Sequence, residues 1–485
     1  MERLNNNPIV NRIAGTVTNS CSIENELFQK HNVKRGLRNE DHTGVVVGLT
    51  KVGDVVGYER NEDGSTYPIP PGRLMYRGIS LEDIVRGAQK ENRLGFEEVV
   101  YLILSGGNLP NKQELSDFSS LLSKTMDLNP KIVMHILDLV GNDIMNYLSR
   151  CVLELYTFDE NPDDTAAENL IKQSLNLVAT FPPTIVAYAH NALRHSKGLS
   201  LHIRHPQPNL SLAENFLYMM KGHHYTPLDV KILDLALMVH ADHGGGGNNS
   251  TFTVRVTSST GTDTYSAIAA GIGSLKGRLH GGANLKVVDM LRNIKKNVKD
   301  WTSVEEVDEY ILKILNKEAY DKTGLFYGMG HAIYTISDPR TVLLKEMARD
   351  LAREKGREAE FNFMSLLEER AIYNFMEKKG KNVNKQVCAN VDFYSGFVYD
   401  MIGLPQEIFT PPLFAMARIV GWAAHRIEEL NFKQKRIIRP AYKNAADIRD
   451  YTPPLTIDNE TTRFNHSRDI RNALGHTGSF RRSCL

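Results

Sequence analysis

The sequence predicts a mainly α-helical protein with a minor β element near the N-terminus. Three observations carry that prediction. Apolar residues recur at helical spacing, most clearly in 338–356, where Leu344, Met347, Ala348, Leu351 and Ala352 form one stripe. Strand-like alternation is scarce after residue 80. Two β-branched runs in GVVVGLTKVGDVVG (44–57), separated by a short Gly-bounded stretch, read as a small hairpin.

The elements follow in order. Residues 1–43 are polar without a clear period and read as a surface arm. NEDGSTYPIPPG (61–72) is loop chemistry. Ser80-Leu-Glu-Asp83 is a capping-box start for a helix. FEEVVYLILS (96–105) reads as a buried helix ending at Gly106-Gly107. SAIAAGIGSL (266–275) is small and apolar, which allows close helix–helix approach. In 338–356, Asp338 can cap, Pro339 suits the first helical position and Gly356 can end the helix. The 451–485 tail turns polar and Arg-rich, and no internal repeat is visible.

Composition bounds the function. A chain of 485 residues can bury a large core without staples. Lys+Arg number 58 and Asp+Glu 57, a net charge of +1, which argues against nucleic acid as the main partner. A local basic site for a small anion remains open. Cys21, Cys151, Cys388 and Cys484 lie far apart, with no CxxC pair. That argues against a disulfide scaffold or thiolate zinc site and suits a reducing compartment. No apolar run approaches a membrane span. The first twenty residues lack signal or transit character, and Ser483-Cys484-Leu485 lacks the basic middle residue of a peroxisomal address. The expectation is a soluble cytoplasmic protein.

Four stretches are odd for pure structure. LMVHADHGGGGNNSTFTVR (237–255) runs an apolar helix into His240, Asp242, His243 and four glycines. LKGRLHGGAN (275–284) sets His280 beside two glycines. GMGHAIYTISDPR (328–340) holds His331 and Arg340, and NVDFYSG (390–396) places Asp392 in an apolar setting. Arg418 adds a fifth feature, inside the nearly all-apolar FAMARIVGWAAH (414–425). Each has an ordinary alternative. A lone His near a helix end is more often a core or cap residue than a catalyst. Gly328-x-Gly330 lacks the third Gly of a dinucleotide fingerprint, and the four-Gly run lacks the Lys-Ser/Thr of a phosphate loop. A helix ending at 240–243 spreads His240, Asp242 and His243 around its axis, which argues against a metal site. Asp338-Pro339 is fully explained as a helix start. Together the features are harder to dismiss. A buried Arg costs several kcal/mol, in order of magnitude, unless an anion pairs with it. An Asp between Val391 and Phe393 can have a raised pKa, which suits a general base. Arg, His and Asp of this kind fit a small polycarboxylate and proton transfer.

In order and spacing, HADHxxxxNxSTFTVR, LKGxLHGGAN, GxGHAIYxxxDPR, NVDFYSG and FAMARIVGWAAHR followed by IIRPAY resemble citrate synthase, of the bacterial citrate/2-methylcitrate type. The resemblance runs from about Gly44 to Tyr442. It implies a two-domain helical fold with an N-terminal arm (1–43), a large domain (44–284 and 390–450), a small domain (285–389) and a C-terminal tail (451–485). It implies condensation of acetyl-CoA with oxaloacetate and water to citrate and CoA. The alternatives are propionyl-CoA as the acyl donor, or a non-catalytic CoA-binding relative.

The resemblance also implies roles. Asp392 matches the base that takes the acetyl methyl proton. His280 matches the donor to the enol oxygen, and His331 the residue that polarises and protonates the oxaloacetate carbonyl. His243, Arg340 and Arg418 match carboxylate ligands, and Arg439 the arginine that reaches the partner's site in a homodimer. Gly328, Met329, Gly330 and Asn390 match the coenzyme A contacts. No metal or redox cofactor is implied, since the coenzyme A thioester is a substrate. The chain departs from the pattern at Gly244, where many members have Glu, at Arg278, usually Pro, and at Ala441, often Arg. None of these is a matched catalytic position.

Overall fold

The computed structural model describes residues 7–39, 44–63, 66–331, 333–334, 336–379, 387–409, 411–446, 448 and 451. The chain divides into two units: Met1–Val47 with Arg439–Leu485, and Gly48–Ile438. The expectation for 451–485 therefore falls almost wholly outside the described residues.

The first unit contains helices over Pro8–Ser20 and Asn25–Lys30, where the sequence reading expected an arm without a period. Ile9, Ile13 and Val17 do recur at helical spacing, but all three are exposed. With Val10 exposed as well, this short stripe amid polar neighbours does not stand out in the sequence.

In the second unit, a sheet of order β1-β2-β3 is built from β1 (Gly53–Arg60), β2 (Thr66–Tyr76) and β3 (Ile79–Ser80). This corrects the expected hairpin. Val45–Val47 form no strand, and β1 pairs antiparallel with 66–76, part of which reads as loop. The register shifts between Val56 and Tyr58, so the proline-rich turn of β2 sits at a bulge. Pro70 and Pro71 are tolerated there because β3 pairs only with Met75 and Tyr76, leaving their side of β2 as an edge.

Helices supply the rest of this unit. The Leu81–Lys90 helix starts at Ser80 as expected, although the Ser80 hydroxyl makes no capping bond. Phe96–Leu104 is buried on nearly all sides. Asp338 caps Pro339–Glu354 by accepting from the Arg340 N–H, and Gly356 follows at φ 66°. Thr264–Lys276 packs closely on Asn249–Ser258 and Ile144–Leu155, as its small residues allow. The centre is the Pro412–Leu430 helix, which contacts Phe96–Leu104, Pro227–His240, Asn249–Ser258 and Thr264–Lys276. An apolar surface all round requires such burial. Among the described residues, no helix is long and apolar enough to cross a membrane.

Candidate active site

The Pro227–His240 helix opens with a capping box from Thr226 and Asp229 and delivers His240–His243 to its C-terminal end. Gly244, Gly245 and Gly246 then adopt φ of 91°, 54° and 95°, left-handed values that turn the chain into the Asn249–Ser258 helix. The Pro412–Leu430 helix lies directly on this segment. Gly421 N–H donates to the Ala241 carbonyl at 3.1 Å, and a Cβ at 421 would sit 2.6 Å from that oxygen. This approach brings Arg418 Nε to 2.7 Å from the His240 carbonyl, and His425 Nε2 to 3.2 Å from Asp242 Oδ2. Behind His425, Arg255 contacts its Nδ1 at 3.0 Å and pairs with Glu428 and Glu429 at 2.8 and 2.9 Å. Arg255 only donates, so His425 Nδ1 accepts and Nε2–H faces Asp242.

The guanidinium groups differ. Arg418 is 2% exposed, and no carboxylate among the described residues pairs with it. Burial lowers its pKa, partly offset by the charge of Asp242. Arg340 is also buried, but Asp338 takes its Nε at 3.0 Å and its Nη2 at 2.7 Å. Burial disfavours its charge, yet Asp338 more than compensates and raises its pKa. Asp338 is therefore both helix cap and bidentate partner, a second role that the cap explanation hid. Two buried cations and one close counter-carboxylate leave a site suited to an anion.

Three rings meet beside Arg340. His243 and His331 are edge-on at 5.2 Å, and Tyr334 stacks on His331 at 4.7 Å. His243 is held well below the usual imidazole range by burial first, then by Arg340 and His331, so it is neutral. Its Nε2 is buried without a hydrogen-bond partner. His331 Nδ1 accepts the N–H of Ile333 and of Tyr334, both at 3.1 Å. A neutral ring bonded this way carries its proton on Nε2.

His280 faces the start of the Asn249–Ser258 helix. Its Nε2 lies 3.4 Å from the Ser250 N–H and 3.1 Å from Ser250 Oγ. A peptide N–H only donates, so Nε2 accepts and Nδ1 keeps the proton. Burial, then Arg418, lowers this imidazole to about 4. Asp392 opens the Asp392–Met401 helix. Its Oδ1 is buried without a partner, and burial raises the carboxyl to about 6 against the pull of Arg340.

Thus His243, His331, His280, Arg340, Arg418 and Asp392 are joined by contacts or charge interactions around the two arginines. Gly328–Gly330 lie against the chain that leads to Asp392: Gly330 N–H donates to Cys388 O at 2.8 Å and Asn390 N–H to Gly328 O at 2.9 Å. Arg439 belongs to the other unit and is exposed. His240, Asp242 and His243 face three different partners, and no group of His, Cys, Asp or Glu among the described residues could hold a metal ion. The sequence reading missed Ser250, Tyr334, Asn284, Arg255 and His425. Of these, His425 left a signal, standing seven residues after Arg418 on the same helix face.

Fold and site together present a mainly helical protein with two buried guanidinium groups, imidazoles and a carboxyl grouped in a setting suited to a small anion. Comparison with known proteins gives the family. Residues 41–441 match the citrate synthase C-terminal domain family. The chain is 34% identical over 428 residues to a citrate synthase of Haloferax volcanii, covering 87% of this chain and 98% of that one. It is 36% identical over 417 residues to one of Acidithiobacillus ferridurans, with 84% and 97% covered. A 2-methylcitrate synthase of Corynebacterium glutamicum is 32% identical over 391 residues, with 78% and 91% covered. A solved citrate synthase of Thermoplasma acidophilum, in ternary complex with carboxymethyl coenzyme A and oxaloacetate, superposes with a TM-score of 0.68 at 26% identity, covering 87% and 99%. The chain belongs to the citrate synthase family, acyltransferase-type enzymes that condense acetyl-CoA with oxaloacetate.

Proposed function

We propose that Asp392 is the base of this condensation, with His280 and His331 as its two acid partners. One observation carries the reading: a carboxyl with a buried, unpartnered oxygen and a pKa near 6 stands in the field of Arg340. A free Asp is a poor base for a thioester methyl group, and the raised pKa strengthens it. As Asp392 takes the proton, charge develops on the thioester oxygen, where the Nδ1–H of His280 donates a hydrogen bond. The methyl carbon then bonds to the oxaloacetate ketone carbon. His331 gives its Nε2 proton to the ketone oxygen. Water cleaves the thioester, releasing citrate and CoA.

His243, Arg340 and Arg418 hold the oxaloacetate carboxylates, with Arg439 of one copy serving the other in a homodimer. Gly328, Met329 and Gly330 flank coenzyme A. Residues 285–389 act as a small domain closing over oxaloacetate. The reaction runs in the cytoplasm without metal or redox cofactor, so a chelator leaves the rate unchanged. Thiol release from acetyl-CoA with oxaloacetate tests the reading; none above blank from folded protein overturns it. Likeness to a 2-methylcitrate synthase supports a second reading, with propionyl-CoA preferred. One methylene is worth only ~1–3 kcal/mol of discrimination, and the ratio of kcat/KM values decides.

A further inference from the structure

We propose that Asn284 and Asn390 are positioning residues, two side-chain amides that fix Asp392 against the His280 loop on one side and the His331 loop on the other. The inference rests on the reading of Asp392 as the base.

The need arises from how the Asp392 helix begins. Its N-cap residue is Val391, which has no side-chain acceptor for the first-turn N–H groups. Asn390, one residue earlier, supplies it: Oδ1 accepts the Asp392 N–H at 3.0 Å. The other end of the same amide, Nδ2, donates to Gly330 O at 2.9 Å, next to His331. The Asn390 backbone adds a third tie, donating to Gly328 O at 2.9 Å. One side chain thus joins the base and the His331 loop, and both ends of its amide are engaged within the protein.

Asn284 does the corresponding work from the other histidine. It lies four residues after His280 in LHGGAN and is wholly buried. Its Nδ2 donates to Ser395 Oγ at 2.7 Å and to the Asp392 carbonyl at 3.4 Å. Its Oδ1 is buried with no partner. Leaving a buried amide oxygen unpaired is costly, and such exceptions concentrate where function requires the group. Gly396 permits the close approach, since a Cβ there would lie 2.5 Å from Val288 Cγ2 and 3.2 Å from Asn284 Nδ2. The Asn390 amide both donates and accepts, whereas Asn284 uses its Nδ2 alone, toward two acceptors. Asp in either place would set a carboxylate against a carbonyl oxygen.

A misplacement of the base by 1 Å can cost about 100-fold in rate. The test compares Asn390→Ala, Asn284→Ala and the double variant with the parent. It measures kcat, KM for both substrates, thermal melting, and the isotope effect on kcat with methyl-trideuterated acetyl-CoA. Each single change is expected to lower kcat by roughly 10- to 100-fold, with KM for oxaloacetate and melting little changed. The isotope effect rises as methyl proton removal becomes slow. Asn390→Ser, which keeps an oxygen acceptor, recovers more turnover than Asn390→Leu. Unchanged kcat with a raised KM for acetyl-CoA alone would make Asn390 a coenzyme contact and overturn the proposal. Turnover lost in step with melting temperature, at a constant isotope effect, overturns it equally. Failure of the underlying reading looks different: Asp392→Asn would retain turnover.

Discussion

Arg418→Met separates binding from folding. The guanidinium is buried, its Nε is held by the His240 carbonyl, and no carboxylate among the described residues pairs with it. On the ligand side, truncating one partner of a buried charge pair costs about 2–5 kcal/mol. At ~1.4 kcal/mol per tenfold, the oxaloacetate Kd rises roughly 30- to several-thousand-fold. On the folding side two terms oppose. Relief of guanidinium desolvation stabilises the variant, while the His240 carbonyl loses its donor at about 1–3 kcal/mol. The melting temperature of the ligand-free protein therefore moves by no more than about 2 °C. Calorimetric titration with oxaloacetate, and melting with and without it, read both sides. The ligand-induced melting shift should collapse. An unchanged Kd would refute the reasoning, as would a ligand-free melting temperature lowered by ten degrees or more.

Asp392 makes a coupled prediction about pH. Its carboxyl is raised from 3.8 to about 6, so the folded state binds the extra proton and stability falls as pH rises through that window. Asp392→Asn removes at most about 3 kcal/mol of that cost above pH 6 and should raise melting while abolishing turnover; a lower melting temperature at pH 7.5 would contradict this. In the parent, kcat/KM should fall about tenfold per unit below pH 6, read from initial rates. His280→Ala should lower kcat by about 100- to 1000-fold, and in the parent this ring stays neutral down to about 4, checked by NMR titration. Arg255→Met strands two nearly buried carboxylates, Glu428 and Glu429. It should cost ~3–5 kcal/mol, seen in denaturant unfolding, and a stability within 1 kcal/mol of the parent would show the network to be inert.

The sequence made the helices legible where period, caps and breakers agree, as in 338–356. The β element was harder. Prolines in 66–76 look like loop, and only the pairing with β1 shows that they fall at a bulge and an edge. Buried polar groups were legible where a residue type is costly in its surroundings, as with Arg418 and the Asp392 Oδ1. Partners set by tertiary approach were not. Nothing in LHGGAN points to Ser250, thirty residues upstream, as the group that settles the His280 tautomer. Asp338 was half legible, since its cap explanation was complete without Arg340.

Gly421 contributes no functional group, yet two of the site's charged or titratable side chains are aligned through it. Adding one carbon there would force the long central helix outward, withdrawing Arg418 and His425 together. A mutational survey scored on turnover would rank this hydrogen side chain beside the acid and the imidazoles. Redesign of acyl selectivity in this protein should leave that helix untouched and vary the loops around it.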